Sequence, residues 1–510
     1  MKPVNAVLIS ALIGSALVSL PVAAQSPLSA IDWLNDPVPV AAARVPPVQE
    51  PPVSTGVTVP EVAVMALDAA TQEAVGLLPP SVTGLPASLW ASSDVDTLLD
   101  LWSEISAQPL PAVQALYYTL LLAEAEPPKA ADGAYLKARV QTLMRFGAVE
   151  PAQALLSRAG PNTSDLFPLW FDLALLSGDE TLVCPALRDQ PALHSSYGAQ
   201  IYCTALMGDW RTAALLFDTG QALNVLDPTE MHLLQLFLDP EMAETATELA
   251  PVASPSPLVF RLYEAIGTPL STRGLPLAYA ISDLRNTSGW RAEIEAAERL
   301  VRTGAQSENR LLGLYTDRQP AASGGIWDRV DAVQKFDRAL SARDASTVAE
   351  TLPAAWRQIR AAQLEIAFAN LFGAALGEVT LTGAAADVAL RVTLLGNDYE
   401  AAAKRAGPDR EAQFLAGVAQ GAPDPALAST PREVTIANVF AAPVAPAPEH
   451  ARLIDAGKLG EAILSAAQQL DRSTNDPVDM THALMTLRAV GLEDTARRAA
   501  LQLLILERAG

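Results

Sequence analysis

The chain has 510 residues, half of them hydrophobic, and its 57 Asp and Glu residues against 35 Lys and Arg give a formal net charge of −22. This length is sufficient for two or three ordinary domains or one long repeat array, and the composition excludes collagen, a coiled-coil rod and a wholly disordered chain. Nucleic acid and an anionic membrane surface are disfavoured as the main partner, because both require a basic face.

Residues 1–24 have the pattern of a secretory signal peptide. Lys2 supplies the positive start, the run from Ala6 to Leu20 is apolar and uncharged, and small residues at its end permit cleavage after Ala24. The run is short for a membrane span, and an uncleaved anchor is the alternative. No later stretch of the sequence is apolar for long enough to form a transmembrane helix. The sequence therefore predicts a secreted bacterial protein of the periplasm.

Residues 25–60 are predicted to form a disordered, Pro-rich tail. Ile31, Trp33 and Leu34 make a small apolar cluster, and many prolines follow it. Such a segment favours polyproline II and acts as a semi-rigid spacer. The cluster is therefore either a docking motif for a partner or a segment that folds back on its own domain.

Residues 61–420 carry the signals of the main helical region. In Asp94–Ile105 and Gly289–Gly304, apolar residues recur every three or four positions, which is the period of an amphipathic helix. Strand signals are scarce, and the connections are brief and marked by Gly or Pro. The pattern predicts an all-α fold, an α-solenoid of stacked antiparallel helical hairpins.

The two cysteines, Cys184 and Cys203, are placed on two predicted helices, 180–189 and 192–208. Their separation fits facing turns of a helical hairpin, so we predict a disulfide in this oxidising compartment. Two buried free thiols are the first alternative. Redox or metal chemistry is the second, although it would favour a C-x-x-C motif or more ligands.

The segment Leu311–Arg329 is the most unusual polar stretch between two predicted helices. A Gly-Gly turn that opens a helix exposes backbone N–H groups, and a tryptophan beside arginines is suited to hold a ligand. In the alternative interpretation Ser323 caps the next helix and Trp327 packs in the core. A second polar stretch, Thr272–Trp290, has the same two interpretations. The candidate binding residues are Tyr315, Asp317, Arg318, Ser323, Gly324, Gly325, Trp327 and Arg329.

Residues 421–448 are rich in proline and are predicted to be a linker. The linker separates the main helical region from a C-terminal unit of three or four helices, residues 449–510. The last of these helices, 493–508, is amphipathic and either docks back or faces a partner.

Glycines that recur between helical stretches indicate a repeat. Gly147, Gly178 and Gly208 are 31 and 30 residues apart, and the segments Gly208–Ala214 and Gly457–Ile463 share a Gly-x-x-x-x-Ala helix opening. On these segments the chain resembles the tetratricopeptide and Sel1-like class of repeat proteins. The Trp-x-x-Leu-Gly-x-x-Tyr signature is missing, so the array is a divergent one. The resemblance implies protein binding along a concave surface.

Motifs that carry known chemistry do not occur in the sequence. The four histidines lie far apart, and neither the nucleophile motif G-x-S-x-G nor a nucleotide-binding glycine motif is found. The Gly-Leu-Met-Gln-type stretch of soluble lytic transglycosylases is missing as well. The carboxylates Glu264, Glu293 and Glu295 are expected to be solvated helix faces. We therefore expect no metal site, no cofactor and no enzyme activity.

These patterns together predict a non-enzymatic periplasmic scaffold or adaptor. It would bind a protein or peptide of the cell envelope along its helical superhelix, with no nucleic acid involved. The first alternative is a cell-wall (peptidoglycan) enzyme or accessory protein with a cleft near residues 315–329. The second is a structural element of an envelope assembly. The identity of the partner and the oligomeric state are left open by the sequence.

Overall fold

The computed structural model describes residues 72–245, 249–472 and 476–506. Within these ranges the chain forms α-helices and short 3₁₀ helices, and pairing of the β type is limited to two isolated bridges. The predicted all-α fold of helical hairpins is therefore confirmed. The predicted signal peptide, the tail of residues 25–60 and its motif Ile31, Trp33 and Leu34 lie outside the described residues.

The first part of the fold is held by a buried arginine. Arg139 is almost fully buried and donates to the main-chain oxygens of Val75, Leu121 and Ala123. Its charge thus satisfies two carbonyls at the end of the preceding helix and one of the segment before the first helix. The helices here are α1 (Pro80–Thr83), α2 (Val95–Ser103), α3 (Pro111–Leu122), α4 (Ala134–Arg145) and α5 (Val149–Ala159).

Residues 167–245 and 249–266 form a lobe with a hydrophobic core of its own, which we call the disulfide lobe. The predicted helix 180–189 is observed, whereas the predicted helix 192–208 is divided into a 3₁₀ turn at Pro191–Leu193 and an α-helix. The α-helices of the lobe are α6 (Phe167–Ser177), α7 (Glu180–Asp189), α8 (Tyr197–Leu206), α9 (Trp210–Ala222), α10 (Pro228–Leu238), α11 (Pro240–Thr245) and α12 (Pro257–Ala265).

The predicted disulfide is confirmed. Cys184 on α7 and Cys203 on α8 are bonded, with their Cα atoms 4.9 Å apart, and both side chains are buried in the core of the lobe. The recurring glycines also occupy the expected turns: Gly147, Gly178 and Gly208 have φ of 78°, 87° and 89°, a left-handed conformation that ends one helix before the next begins. Local signals in the sequence thus located these hairpins correctly.

The chain then passes through 3₁₀ helices at Thr272–Gly274 and Leu277–Leu284 into a second run of helices. Antiparallel neighbours in this run are joined by short turns, as in the pair Ile326–Ser341 and Ala345–Ala361. The helices are α13 (Trp290–Arg302), α14 (Glu308–Thr316), α15 (Ile326–Ser341), α16 (Ala345–Ala361), α17 (Glu365–Leu376), α18 (Ala384–Leu395), α19 (Tyr399–Ala403), α20 (Arg410–Ala419), α21 (Pro431–Ala441), α22 (Pro448–Asp455), α23 (Leu459–Arg472), α24 (Pro477–Ala489) and α25 (Glu493–Ile505).

Helix α13 is fixed against both halves of the described chain. The hydroxyl of Thr303 donates to the carbonyl of Phe146 (2.7 Å), and Arg302 Nε donates to the carbonyl of Ala362 (2.7 Å). A Cβ atom on Gly147 would lie 2.5 Å from Leu300 Cδ2, so the turn before α5 must be a glycine for α13 to approach it this closely. The outer face of α13 is thereby held rigidly where it borders the candidate site.

Residues 421–448 differ from the prediction of a linker. The segment contains a 3₁₀ turn at Pro425–Leu427 and the whole of α21, whose Ile436 and Ala437 are buried. Two of the prolines, Pro431 and Pro448, are the first residues of helices, a position where the missing N–H costs nothing. The described residues accordingly belong to one compact unit rather than to a main region and a separate C-terminal unit.

The last helices of the chain pack against the first. Helix α25 contacts α3, and α23 contacts both α2 and α3. The main-chain N–H of Leu110 donates to Asp471 Oδ1 (2.9 Å) and that of Ala112 donates to Gln502 Oε1 (2.7 Å), while Gln468 Nε2 donates to the carbonyl of Leu101 (2.6 Å). The array therefore closes on itself through its two ends.

Candidate functional site

A cleft of about 770 Å³ lies between the 3₁₀ segment 271–289, helix α13 and the start of α15. The two polar stretches singled out in the sequence meet in this cleft. We call it the Trp–Arg cleft, because its lining includes two tryptophans and four arginines: Trp290, Trp327, Arg273, Arg291, Arg299 and Arg302.

The two tryptophans form an aromatic wall. Trp290 is the first residue of α13 and Trp327 the second of α15, and their ring centroids are 5.0 Å apart with an angle of 38° between the planes. Trp290 Nε1 donates to the carbonyl of Leu314 (2.8 Å), which fixes that ring. Both rings pack against the hydrophobic core, as the alternative interpretation of Trp327 expected, but they are only partly buried, so their remaining surface is apolar and open to a ligand.

A buried ion pair holds the three helices around this wall. Arg329 on α15 donates to both carboxylate oxygens of Glu298 on α13, at 2.8 and 2.7 Å, and the hydroxyl of Tyr315 on α14 donates to Oε1 at 2.7 Å. Burial and then the charge of Glu298 raise the pKa of Tyr315 well above its ordinary value, so this hydroxyl remains a donor. Burial alone would lower the pKa of Arg329, but Glu298 raises it.

The rim of the cleft carries a carboxylate between two exposed arginines. Glu295 accepts from Arg291 Nε (2.9 Å) at one oxygen and from Arg273 at the other. Burial would raise the pKa of Glu295, yet the two arginines lower it below its ordinary value, so the carboxylate is ionised. The arginine side chains are 66% (Arg273) and 62% (Arg291) exposed, and they are therefore free to rearrange when a ligand binds.

The floor of the cleft is built from hydrogen bonds to the main chain. Arg299 donates to the carbonyls of Thr272 (2.8 Å) and Leu275 (3.0 Å), and burial lowers the pKa of its guanidinium. Asp283 accepts from the hydroxyls of Thr272 and Ser288, the latter at 2.8 Å. These bonds tie the 3₁₀ segment to α13, so the floor is preformed.

The cleft has the opposite charge sign from the whole protein. Its lining holds four arginines against the three carboxylates Asp283, Glu295 and Glu298, a difference of one positive charge, in a chain of net charge −22. Fields from charges that line a concave surface are focused there. The arrangement is suited to bind an anionic group next to an apolar or aromatic one.

The structure brings together only some of the candidate residues of the 311–329 segment. Tyr315, Trp327 and Arg329 belong to the cleft or to the ion pair behind it. Asp317 and Arg318 are exposed and pair with each other at 2.8 Å. These two residues therefore lie outside the site.

The Gly-Gly turn plays a local role. Gly325 is the N-cap of α15 and no side chain caps this helix, so the alternative in which Ser323 caps it is wrong; Ser323 is exposed. The N–H of Gly324 donates to Asp328 Oδ1 (2.8 Å), and both glycines have positive φ. The turn thus positions Trp327 at the start of α15.

Sequence reasoning missed the charged face of α13. Glu298 was not singled out, and it is buried, as is Glu293, which was expected to be solvated. Glu264 also differs from the expectation, because it accepts from Arg285 Nη2 at 2.6 Å and pairs with Arg261. The available signal was the spacing of Arg291, Glu295, Glu298 and Arg302, which places four charges on one helix face next to a tryptophan.

Comparison of the chain with family models, with curated proteins and with solved structures finds no match. Among the described residues, no group of three or more His, Cys, Asp or Glu side chains is arranged to hold a metal ion. Within the same ranges, none of the helices is long and apolar enough to cross a membrane. The chemistry of the site is therefore argued from its own residues.

Proposed function

We propose that the protein is a non-enzymatic scaffold or adaptor of the bacterial periplasm, which binds a segment of another envelope protein in the Trp–Arg cleft. The observation that carries the proposal is the partly exposed pair Trp290 and Trp327 in a preformed, arginine-lined cavity of about 770 Å³. Cavities of this size, mostly apolar with a few placed polar groups, are typical binding sites.

The closure of the helical array favours the cleft over a superhelical groove as the binding surface. An open array presents its concave face along its whole length. Here α25 packs on α3, and the ends of the array cover each other. A partner that binds within one local cleft needs no such open face.

Export to the periplasm is part of the proposal and rests on two features. Residues 1–24 have the signal-peptide pattern with cleavage after Ala24. The disulfide Cys184–Cys203 is of the kind that persists in oxidising compartments. The tail of residues 25–60 would then act as a tether, with Ile31, Trp33 and Leu34 as a second docking motif.

The second candidate function is a peptidoglycan-binding accessory protein or enzyme of the cell wall. The aromatic wall favours it, since the flat face of a sugar ring stacks well on indole. Glycosidase chemistry needs one carboxyl group that holds a proton, whereas the arginines lower the pKa of Glu295. A binding role thus fits this cleft better than hydrolysis.

The test is crosslinking in cells followed by pull-down of the tagged mature protein and mass spectrometry. We compare the parent with Trp327→Ala and with Trp210→Ala, a control in which the lost tryptophan is exposed and lies on the disulfide lobe. The proposal is supported if Trp327→Ala alone no longer captures the partners that the parent protein captures. Loss only in Trp210→Ala, or retention of every partner in both, would contradict it.

Two further arms complete this experiment. Deletion of residues 25–60 is expected to reduce capture without changing the melting temperature if the tail is a tether. Incubation with purified peptidoglycan sacculi tests the second candidate. Sedimentation with sacculi that Trp327→Ala abolishes would replace the adaptor by a wall-binding protein.

A further inference from the structure

We propose that the Trp–Arg cleft selects an acidic peptide segment with an aromatic side chain. Resting on the proposed function, this inference names the chemistry of the partner segment. A carboxylate of the peptide would bind between Arg273 and Arg291 at the rim, and the neighbouring aromatic ring would pack against Trp290 and Trp327.

The first argument is which arginines are available. Arg299 is committed to two main-chain carbonyls of the floor, and Arg302 donates to the carbonyl of Ala362 and lies 3.6 Å from Glu298. For Arg273 and Arg291, by contrast, the side-chain partner that the structure gives is the same carboxylate, Glu295. Each guanidinium has five N–H donors, so most of these donors are left for a ligand.

The second argument is that Glu295 occupies the place of a ligand carboxylate. A carboxylate held between two guanidinium groups is the geometry that arginines use to recognise acidic ligands. Because both arginines are largely exposed, the internal pair with Glu295 is weak and easily exchanged. An incoming carboxylate would share or take over these donors, and Glu295 would act as a competitor.

The third argument is the juxtaposition of this rim with the aromatic wall. Arg291 directly follows Trp290 in α13, so the charged and the aromatic parts of the site are adjacent. Aromatic pairs contribute beyond the area they bury when they are offset or edge-to-face. A peptide with an acidic residue next to Phe or Tyr would satisfy both parts, while a neutral peptide would leave the arginines unused.

The experiment measures peptide binding to the purified mature protein by isothermal titration calorimetry at low salt. The probe is the blocked peptide acetyl-Gly-Asp-Phe-Glu-Asp-Gly-amide, and two control peptides replace its acidic residues by the corresponding amides or its Phe by Ala. We expect the acidic aromatic probe to bind at least about tenfold tighter than either control, since the amide peptide loses the charge-assisted hydrogen bonds to the rim arginines and the Ala peptide loses the aromatic contact with the two tryptophans. Its affinity should fall as salt is added.

Three variants assign the binding to the cleft. The double variant Arg273→Gln, Arg291→Gln should bind the probe about tenfold more weakly or worse. Arg343→Gln, which changes an exposed arginine paired with Glu378 outside the cleft, should leave the affinity for the probe unchanged. Glu295→Gln removes the competing carboxylate and should tighten binding of the probe. These substitutions lie on the surface or rim, and a melting curve checks that each variant is folded.

The outcomes separate this inference from the function on which it rests. Probe affinity that is equal for the acidic and amide peptides, or unchanged in the double arginine variant, overturns the acidic-peptide inference. If Trp327→Ala still removes the crosslinked partner in that case, the adaptor function stands with a different ligand chemistry. Binding of soluble peptidoglycan fragments in place of the peptide, lost in the double arginine variant, would also overturn the inference and favour the glycan.

Discussion

Single residues decide how the cleft is held together. Tyr315, Trp327 and Arg329 stood out in the sequence because aromatic and charged residues are unusual beside a Gly-Gly turn. Glu298, the common partner of Tyr315 and Arg329, did not, because an acidic residue in an amphipathic helix is ordinarily solvated. Its burial depends on α14 and α15 packing over it, which no local pattern reports.

The buried pair leads to a prediction about stability. Glu298→Gln leaves Arg329 without its carboxylate in a buried position and should lower the free energy of unfolding by about 3 kcal/mol. Glu378→Gln breaks an exposed pair with Arg343 (side chains 68% and 81% exposed) and should cost less than about 1 kcal/mol. Urea denaturation of the two variants measures the difference. A similar loss of unfolding free energy in Glu298→Gln and Glu378→Gln would show that the pair of Glu298 and Arg329 is no more important for stability than an exposed pair.

A second residue-scale prediction concerns pH. Burial raises the pKa of Asp172 on α6 to about 7, well above its value in an unfolded chain. The folded protein therefore holds a proton that the unfolded chain releases, so this contribution to stability is complete below about pH 4 and is lost as pH rises through about 7. Asp172→Asn, which does not ionise, should be more stable than the parent at pH 8.

The pH dependence predicted for Asp172 is tested by the melting temperatures of the parent and of Asp172→Asn between pH 4 and pH 8. The advantage of Asp172→Asn should grow with pH across that range and be smallest in acid. Asp218→Asn, which removes a carboxylate at an exposed position on α9, is the matched control. A constant difference between Asp172→Asn and the parent at all pH values would mean that Asp172 titrates normally.

At the scale of elements, the sequence was most informative where the signal is local. Glycine turns, helix periods and the two cysteines all act within about 20 residues. The structure agrees with the glycine turns, with helix α7 and with the cysteine pairing, whereas the predicted helix 192–208 is divided before α8. The linker prediction was wrong for an equally local reason. Proline interrupts a helix only in its interior, and Pro431 and Pro448 stand at first helical positions.

The disulfide between α7 and α8 provides the prediction at this scale. Cys184→Ser with Cys203→Ser should lower the free energy of unfolding by about 3 kcal/mol in the chain-entropy account, because the crosslink closes a loop of 19 residues. Chemical denaturation of parent and variant gives the value. Thiol titration of the unreduced, unfolded parent is the control and should find no free thiol; equal stability of parent and variant would show that the crosslink does not constrain the lobe.

At the scale of the whole molecule, the two ends of the helical array depend on each other. Helix α3 begins without a side-chain cap of its own, and its first N–H groups are the ones that a helix leaves unpaired. Asp471 and Gln502, more than 360 residues away in sequence, accept from Leu110 and Ala112. The last helices thus cap one of the first.

Gln502→Ala should therefore destabilise a distant element. The buried N–H of Ala112 would lose its acceptor, at a cost of about 1–3 kcal/mol, and hydrogen exchange in residues 111–122 should become faster. Gln413→Ala is the control, because Gln413 donates to the carbonyl of Gly407 (2.7 Å) in the loop just before its own helix, α20. Faster exchange confined to residues around 502, with α3 unaffected, would show that the stability of α3 does not depend on its contact with α25.

The sequence by itself determined the secondary structure class, the hairpin turns, the cysteine pairing and the polar stretches from which the site is made. These features follow from interactions between near neighbours: helical periodicity, the conformational freedom of glycine and the short chain between the two cysteines. The tertiary structure alone decided that α25 closes on α3, that Glu298 is buried behind Tyr315 and Arg329, and that residues 271–291 and Trp327 share one cleft. Those contacts join positions far apart in sequence, and their formation depends on how whole helices pack rather than on any local pattern.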